Sequence, residues 1–308
     1  MDITFQERIS QQAKSSFISK LFDFQHSIIN QFTETQTLLH KDLVPFLDIY
    51  QPLTIINKYE FLVTSGVAEK LFTLNPMVVL WGNAGNGKTT IVKYLFIDST
   101  LTSYKIPILL NLRDIIIPIK KQDKNQPENI IYDHILNHLN FSVDSVDAII
   151  IKEMLKYGKF LILLDGYDET DYDKSNILNT EIHDFSLRYN DCAYFMTSRF
   201  DSKATSLLSF KPYQIMPFDK SEIKSFIRRQ FLNKTARIDE IIATVFKAEN
   251  SRYLEYLENP LFLLLFLNSF DIYPNIPPKK VDSLKMYIMR CMRNMIVLLN
   301  LGLTEKDI

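Results

Sequence analysis

Two short strings about 75 residues apart constrain this chain of 308 residues more than any other feature. Residues 82–90 read GNAGNGKTT and fit the pattern G-x-x-x-x-G-K-[ST], which is typical of a loop that holds phosphate groups. The loop follows an apolar run at 77–81 that predicts a buried strand, and it precedes TTIVKYLFI, which predicts a helix. Because strand, loop and helix come in the required order, we favour a phosphate-binding loop over a glycine-rich turn with a chance lysine.

The residue types in this loop match the chemistry of phosphate binding. Glycines let the backbone bend so that several N–H groups point at phosphate oxygens, and the following helix adds the positive end of its dipole. We expect Lys88 to reach the β- and γ-phosphates and the Thr89 hydroxyl to ligate Mg²⁺. The predicted nucleotide-binding residues of the loop are Gly82, Asn83, Ala84, Gly85, Asn86, Gly87, Lys88, Thr89 and Thr90.

The second string, FLILLDGYDE at 160–169, predicts the other side of a magnesium site. Its five apolar residues are typical of a buried strand in a parallel sheet, and ligands of such sheets bind at the carboxyl ends of the strands. Asp165 ends this strand, and we therefore predict that it holds Mg²⁺ through water. Asp168 and Glu169 follow as carboxylates that position or deprotonate an attacking water. A solvated acidic loop is the alternative, and the pairing with the phosphate loop disfavours it.

A third motif, MTSRF, also lies where a strand is predicted to end. The strand at 194–198 ends in Thr197 and Ser198, and Arg199 follows at the carboxyl edge of the sheet. An arginine in this place can reach the γ-phosphate of a nucleotide and sense whether it is present. A strand-end arginine on a solvated face is the alternative, and the sequence leaves both open.

Composition narrows the class of protein. The net charge of −1 gives no basic excess that would indicate nucleic-acid binding, and 46% apolar with 23% charged residues is typical of a globular protein. Cys192 and Cys291 have no metal-ligand spacing, so a cytoplasmic, reducing compartment is expected. The start MDITFQERIS lacks the apolar core of a signal peptide, and runs such as 260–267 are too short to span a bilayer.

Strand and helix patterns alternate along most of the chain, which predicts an α/β fold with a parallel sheet. Besides the helix after the phosphate loop, the patterns predict amphipathic helices within 1–50, a short helix at 61–75, and helices at 130–139 and 146–157. The predicted strands are 77–81, 106–112, 160–164, 194–198 and 213–218.

The character of the sequence changes at Asp219, after which only helices are predicted. Asp219 and Glu222 fit a capping box that starts the first of these helices, and the prolines near 275–280 predict a break. About two domains suit a chain of this length. We expect an N-terminal helical segment (1–55), a nucleotide-binding domain (56–218) and a helical subdomain (219–308).

The order of GNAGNGKTT, IPILLNLRD, FLILLDGYDE, YFMTSRF, YQIMPFDKSEIKSFI and LENPLFLLL resembles the NACHT domain, which belongs to the STAND class of signal-transducing P-loop NTPases. The most specific match is DGYDE, because the family places a small residue after the Mg²⁺ aspartate and acids further on. The resemblance covers residues from about 50 to about 278. It implies a three-layer α/β/α fold whose five-stranded parallel sheet has strand 194–198 between strands 77–81 and 160–164.

The resemblance also implies roles for individual residues. Asp165 is the Mg²⁺ aspartate by this likeness, Asp168 and Glu169 are the additional acids, and Arg199 is the sensor of the γ-phosphate. Pro260, in LENPLF, matches the proline that packs on the adenine. The string IYQPLTI matches the upstream segment that borders the base.

The chain departs from the family pattern in two places. Glu258 stands where the family has a glycine, two residues before Pro260, which weakens the expected adenine contact. The last histidine is His183, so the histidine of a winged-helix domain that holds ADP in longer relatives is missing here. The winged-helix domain and the sensor array are therefore expected to be absent, either because the chain is a fragment or because the protein is minimal.

The leading functional interpretation is a molecular switch that binds ATP with Mg²⁺ and hydrolyses it slowly to ADP. By the family likeness, the bound nucleotide controls a homo-oligomer or signalling to an unknown protein partner, usually in innate immunity or in antiviral, anti-phage defence. Two alternatives stay open: an AAA+-like remodelling ATPase that turns over continuously, and a scaffold that holds nucleotide without useful hydrolysis. A small-molecule kinase is disfavoured because the sequence has neither a lid pattern nor an acceptor site.

Overall fold

The computed structural model describes residues 11–40, 42–58, 60–66, 68–115, 130–170, 172–200, 209–231 and 235–270. These residues fall into two compact units. The first contains Met1–Thr33, Ile55–Ala84 and Lys88–Ile215, and the second contains Glu34–Thr54, Gly85–Gly87 and Met216–Ile308, each as far as it is described.

Eleven α-helices and nine strands are described, together with three short 3₁₀ turns at Leu112–Asp114, Tyr167–Glu169 and Ala248–Asn250. In the first half of the chain they are α1 Gln11–Thr33, β1 Glu34–Thr35, β2 Val44–Pro45, α2 Phe46–Ile49, β3 Thr54–Ile56, β4 Phe61–Val63, α3 Ala68–Leu74, β5 Met77–Trp81, α4 Lys88–Leu101, β6 Ile106–Asn111, α5 Ile130–His138 and α6 Val146–Lys156. In the second half they are β7 Phe160–Asp165, α7 Tyr172–Arg188, β8 Ala193–Ser198, β9 Lys211–Ile215, α8 Lys220–Gln230, α9 Thr235–Val245, α10 Ser251–Leu257 and α11 Pro260–Phe270.

A seven-stranded sheet forms the centre of the first unit, with the order β4-β3-β9-β5-β8-β7-β6. Its five strands from β9 to β6 are all parallel, and β8 lies between β5 and β7, as predicted. The sheet is larger than the predicted five strands because β3 adds to β9 in antiparallel direction and β4 follows at the edge. The carboxyl ends of β5, β7 and β8 therefore meet at one edge, where the motifs of the sequence lie.

The apolar composition of the central strands explains why they form the core. Every residue of β5 and of β8 is buried, as expected for strands covered on both faces. One face packs with apolar residues of α1, α5, α6 and α7. On the other face of β5 lie Val78 and Leu80, and α4 contacts β6, β7 and β8. The three-layer α/β/α architecture expected from the sequence is thus confirmed.

Several predicted elements differ in their bounds. The helix expected at 61–75 is only Ala68–Leu74, because the apolar residues Phe61–Val63 form strand β4 instead. The strand expected at 213–218 is Lys211–Ile215, since Pro212 is tolerated near the beginning of a strand. The helix α7, which follows the acidic loop, was not predicted. The predicted break at 275–280 lies outside the described residues.

The second unit is mainly helical. Helix α8 begins with the predicted capping box, in which the Asp219 carboxylate accepts from the N–H groups of Ser221 and Glu222 and the Glu222 carboxylate accepts from the N–H of Asp219. The buried Gln230, at the end of α8, donates to the carbonyl of Ile49 at 3.1 Å, which ties the N-terminal part of this unit to its helices. None of the described helices has the length and hydrophobicity that crossing a membrane requires.

Candidate nucleotide-binding site

The phosphate loop connects the last residue of β5 to the first turn of α4. The N–H of Gly82 donates to the carbonyl of Ser198 at 3.2 Å, so the loop starts from a fixed point at the end of β8. Gly85 and Gly87 have φ angles of +76° and +88°, which residues with a Cβ atom rarely adopt. The glycine spacing of the motif is therefore a requirement of the backbone path. Helix α4 begins at Lys88, as predicted.

Lys88 folds back on the beginning of this loop. Its Nζ atom donates to the carbonyl oxygens of Gly82 at 2.7 Å and of Asn83 at 3.2 Å. Thr89 and Thr90 follow in the first turn of α4, and both are exposed. The ammonium group and two hydroxyl groups therefore lie together at the helix N-terminus, where anions are favoured.

Charged groups at the carboxyl ends of two strands, β7 and β8, influence Lys88. Burial is the largest effect and lowers the pKa of its ammonium group, whereas the carboxylate of Asp168 raises it. Arg199 lowers this pKa as well, and the carboxylates of Asp165 and Glu169 raise it. The predicted acids and the predicted sensor arginine thus act on the lysine of the phosphate loop, in agreement with a single site for a charged ligand.

Asp165 is fixed at the end of β7 by a neighbouring strand. The hydroxyl of Thr197, which is fully buried in β8, donates to Asp165 Oδ1 at 2.5 Å and accepts from the N–H of Gly166 at 2.9 Å. Gly166 has a φ angle of +78°, which turns the chain directly after the aspartate. Because one carboxylate oxygen is held by Thr197, the direction of the other is fixed too.

Asp168 is held by Arg199 in the first unit. Its Oδ1 atom accepts from the backbone N–H of Arg199, and its Oδ2 atom lies 2.9 Å from the Nε atom of the same residue. The Asp168 side chain is only 10% exposed, although that of Arg199 is 59% exposed. The predicted water-activating acid and the predicted γ-phosphate sensor are therefore partners of each other.

Glu169 has a different partner and a different environment. Its Oε2 atom lies 3.3 Å from Arg113 Nη1, and both side chains are largely exposed. Arg113 belongs to the string LNLRD at the end of β6, for which no site residue was predicted. Neighbouring acids in the chain are thus held by arginines that follow two different strands.

The remaining predicted residue, Pro260, lies in the second unit. It is the first residue of α11 and half-buried, and this unit also includes residues 85–87 of the phosphate loop. Proline suits the first position of a helix, because the missing N–H would have no partner there. Glu258, which replaces the expected glycine, has a φ angle of −67°, so the backbone here does not need glycine. The adenine contact of Pro260 stays a prediction.

The donor set of the first unit fits a nucleotide with Mg²⁺. The Lys88 ammonium and the α4 N-terminus supply the positive charge that phosphates need. The Thr89 hydroxyl and the Asp165 carboxylate are oxygen ligands of the type that Mg²⁺ prefers.

Comparisons with known proteins agree with this chemistry. The family model of the NACHT domain matches residues 76–234, slightly more than half of the 308 residues. This range includes the phosphate loop, the acidic string and the strand that carries Thr197. The family implies nucleotide binding, usually with Mg²⁺. A search of curated proteins finds no match.

Solved structures similar to the chain are remote in sequence. Cdc6p from Pyrobaculum aerophilum is 13% identical with a TM-score of 0.42, over 66% of this chain and 58% of that protein. PCH-2 from C. elegans is 12% identical with a TM-score of 0.33, over 74% and 66% of the two chains. The RuvB Holliday junction branch migration motor of Thermotoga maritima is 11% identical with a TM-score of 0.29, over 72% and 80%. The fold assignment therefore comes from the strand order and the family match.

Proposed function

Because the chain belongs to the NACHT family of P-loop NTPases, we propose that it is a switch whose conformation depends on whether ATP or ADP is bound. It binds ATP with Mg²⁺, hydrolyses it slowly, and uses the difference between the two bound states to control self-association or signalling to a protein partner. The observation that carries this proposal is the ion pair between Arg199 and Asp168.

That ion pair gives the site a means of distinguishing two nucleotides. A ligand shifts a conformational equilibrium only as far as its affinities for the two states differ. ATP has a γ-phosphate that competes with the Asp168 carboxylate for the guanidinium of Arg199, and ADP does not. With ADP the pair stays closed, whereas with ATP the arginine turns to the phosphate and the carboxylate is released.

The released carboxylate is the proposed base for hydrolysis. Asp168 then orients the attacking water and accepts its proton, while Lys88 and Arg199 balance the charge on the phosphate oxygens. Mg²⁺, when bound, would neutralise charge on the phosphates. Thr89 and Asp165 are the residues that would hold it, and Thr197 keeps the aspartate in position. In this proposal the base becomes available only when the γ-phosphate has drawn Arg199 away from it, which limits hydrolysis to the ATP-bound state.

Small-angle scattering and gel filtration with ATPγS·Mg²⁺ or ADP·Mg²⁺ test the switch. We expect wild type to differ in compactness or self-association between the two nucleotides. Arg199→Ala should bind ADP normally but give the same profile with both, because it cannot sense the γ-phosphate. Identical profiles for wild type would contradict the proposed switch.

The matched control for nucleotide binding is Lys88→Ala. Nucleotide at about 1,000 times its Kd stabilises a fold by roughly 4 kcal/mol, which raises Tm by on the order of 10 °C for a chain of this size. Lys88→Ala should lose most of this increase, since it removes the phosphate charge. If both proteins are stabilised equally, the role assigned to the phosphate loop is wrong.

The rate of hydrolysis separates the switch from its two alternatives. Rapid, partner-independent turnover would favour a remodelling ATPase, and no single-turnover hydrolysis would favour a scaffold. A role in innate immunity or anti-phage defence, a homo-oligomer on activation and a cytoplasmic location are further parts of the proposal. They are supported by the family and by the cysteine usage alone.

A further inference from the structure

A second-unit residue that the motifs did not identify, Asn259, makes two kinds of contact with its one side-chain amide. Its Oδ1 atom accepts from the N–H groups of Leu261 at 2.9 Å and of Phe262 at 3.3 Å, which is the geometry of an N-cap for α11. Its Nδ2 atom donates to Oδ1 of Asn86, in the phosphate loop, at 2.6 Å. The same residue thus starts a helix and holds the loop.

Two further observations show that the first turn of α11 lies close to Gly85 of the phosphate loop. The N–H of Leu261 donates to the carbonyl of Gly85 at 3.3 Å, in addition to its bond with Asn259. A Cβ atom at position 85 would lie 2.7 Å from Leu261 Cβ and 3.1 Å from Asn259 Oδ1. Gly85 is therefore required both by its positive φ angle and by the close approach of α11.

The side-chain amide of asparagine has both an acceptor and a donor, which explains how Asn259 can contact α11 and the loop together. The backbone N–H groups of Leu261 and Phe262, in the first turn of α11, are donors. The Asn259 side chain must therefore turn its oxygen towards α11 and its nitrogen away from it. That nitrogen then meets an acceptor, Asn86 Oδ1. A serine can cap the helix equally well, but its side chain is too short to reach the loop as well.

We propose that Asn259 is a positioning residue that fixes the phosphate loop in its binding shape, through Asn86. The loop binds phosphates with backbone N–H groups, and residues 85–87 belong to the same compact unit as α11. Holding Asn86 keeps those groups oriented before the ligand arrives, so less ordering has to be provided by the phosphates. The identity of the ligand rests on the proposed function. The geometry rests on the contacts of Asn259 with Asn86 and of Leu261 with Gly85.

Two single variants separate the loop contact from the helix cap. Asn259→Ser keeps a capping oxygen and loses the bond to the loop, and Asn86→Ala removes the acceptor and leaves the cap intact. In nucleotide-free protein, both should increase deuterium uptake in a peptide that covers 82–90. Asn86→Asp, which keeps an acceptor oxygen, should retain the protection of wild type.

Nucleotide affinity gives the second measurement. Calorimetric titration with ADP·Mg²⁺ should show about three- to tenfold weaker binding for either variant, the range that one hydrogen bond supports. The double variant should be no weaker than either single variant, because both remove the same bond. As a stability control, Asp219→Ala removes the N-cap of α8 and should lower Tm without changing loop exchange or affinity.

The outcomes distinguish this inference from the proposed function. If wild type binds no nucleotide, the proposed function fails, and the exchange of residues 82–90 alone decides the role of Asn259. Wild-type exchange and affinity in both variants would overturn the role of Asn259. Independent, multiplying losses in the double variant would overturn it too, because they would show that the two asparagines act separately.

Discussion

The centre and the rim of the candidate site are built in different ways. At the centre, Asp165 and Asp168 are held by Thr197 and Arg199 through bonds of 2.5 to 2.9 Å. At the rim, Glu169 and Arg113 form a single contact of 3.3 Å, and both side chains are largely in solvent. Asp168 and Glu169 are adjacent in the chain, yet only 10% of the first side chain is exposed, against 49% of the second.

This difference shows that sequence adjacency does not give two acids the same chemistry. Burial strengthens the electrostatic interactions of Asp168 and fixes its geometry, whereas water screens those of Glu169. The 3₁₀ turn at Tyr167–Glu169 separates the directions of the two side chains, so one faces Arg199 and the other Arg113. A rigid centre suits groups that must meet a phosphate accurately, and an exposed rim tolerates movement.

The largest expected effect separates the two acids in hydrolysis. Asp168→Asn should lower single-turnover ATP hydrolysis by about 100-fold or more, because a positioned base contributes 10²- to 10⁴-fold. Glu169→Gln should lower it by less than about tenfold, since its carboxylate is solvated and not fixed against the phosphate. Quenched-flow measurement with saturating ATP·Mg²⁺ gives both rates.

Binding measurements complete this test. ADP affinity should change little in either variant, because the acids act on water and not on the bound diphosphate. Asp165→Asn is the control for the metal and should weaken Mg²⁺-dependent binding instead. A greater loss of hydrolysis in Glu169→Gln would reverse the comparison of centre and rim, and full hydrolysis in the double variant would reject both acids as bases.

Much of the fold could be predicted from the sequence, because the central strands are short, continuous apolar runs. The helix boundaries at Lys88 and Asp219 follow from a phosphate loop and a capping box, which are local patterns. The strands β3 and β4 could not be predicted, because β3 pairs with β9, far along the chain, and three-residue stretches do not encode such a long-range pairing. The helix α7 was missed because it directly follows acidic residues at 165–171 that also indicate a loop.

The candidate site could be predicted only in part from the sequence, because some of its contacts join residues that are far apart in the chain. Motif spacing predicted Lys88, Asp165 and Arg199, but not that Arg199 pairs with Asp168. The contact between Asn259 and Asn86 joins residues 173 positions apart, and no local pattern indicates it. The string LNLRD contains Arg113, but only the fold shows that Glu169 is its partner.

The second prediction tests how rigidly the centre is held. Thr197→Val keeps the shape of the side chain but leaves the N–H of Gly166 and one oxygen of Asp165 without their partner. Losing the partner of a buried polar group costs about 2 kcal/mol, so Tm should fall by roughly 4 to 8 °C. Differential scanning calorimetry without nucleotide measures this change.

A matched control is available in α7. Thr180 is exposed, and its hydroxyl donates to the carbonyl of Asn176 within the same helix. Thr180→Val should therefore change the free energy of unfolding by less than about 0.5 kcal/mol. Equal effects of the two substitutions would mean that the Thr197 hydroxyl does not hold the centre together.

The smallest expected effect concerns the rim. A double-mutant cycle with Arg113→Ala and Glu169→Ala measures how much the two side chains stabilise each other in the folded protein. Exposed ion pairs typically contribute about 0.2 to 1 kcal/mol, and the long, single contact here places this pair near the lower end. In 1 M salt the coupling should vanish, because the Debye length falls to about 3 Å. The same cycle with Arg199→Ala and Asp168→Ala should give a larger coupling, since Asp168 is nearly buried and its Oδ2 atom lies only 2.9 Å from the Nε atom of the arginine side chain. If the rim pair were coupled as strongly as the central pair, and equally so at high salt, Arg113 would be a fixed part of the site, and the division into rigid centre and mobile rim would be wrong.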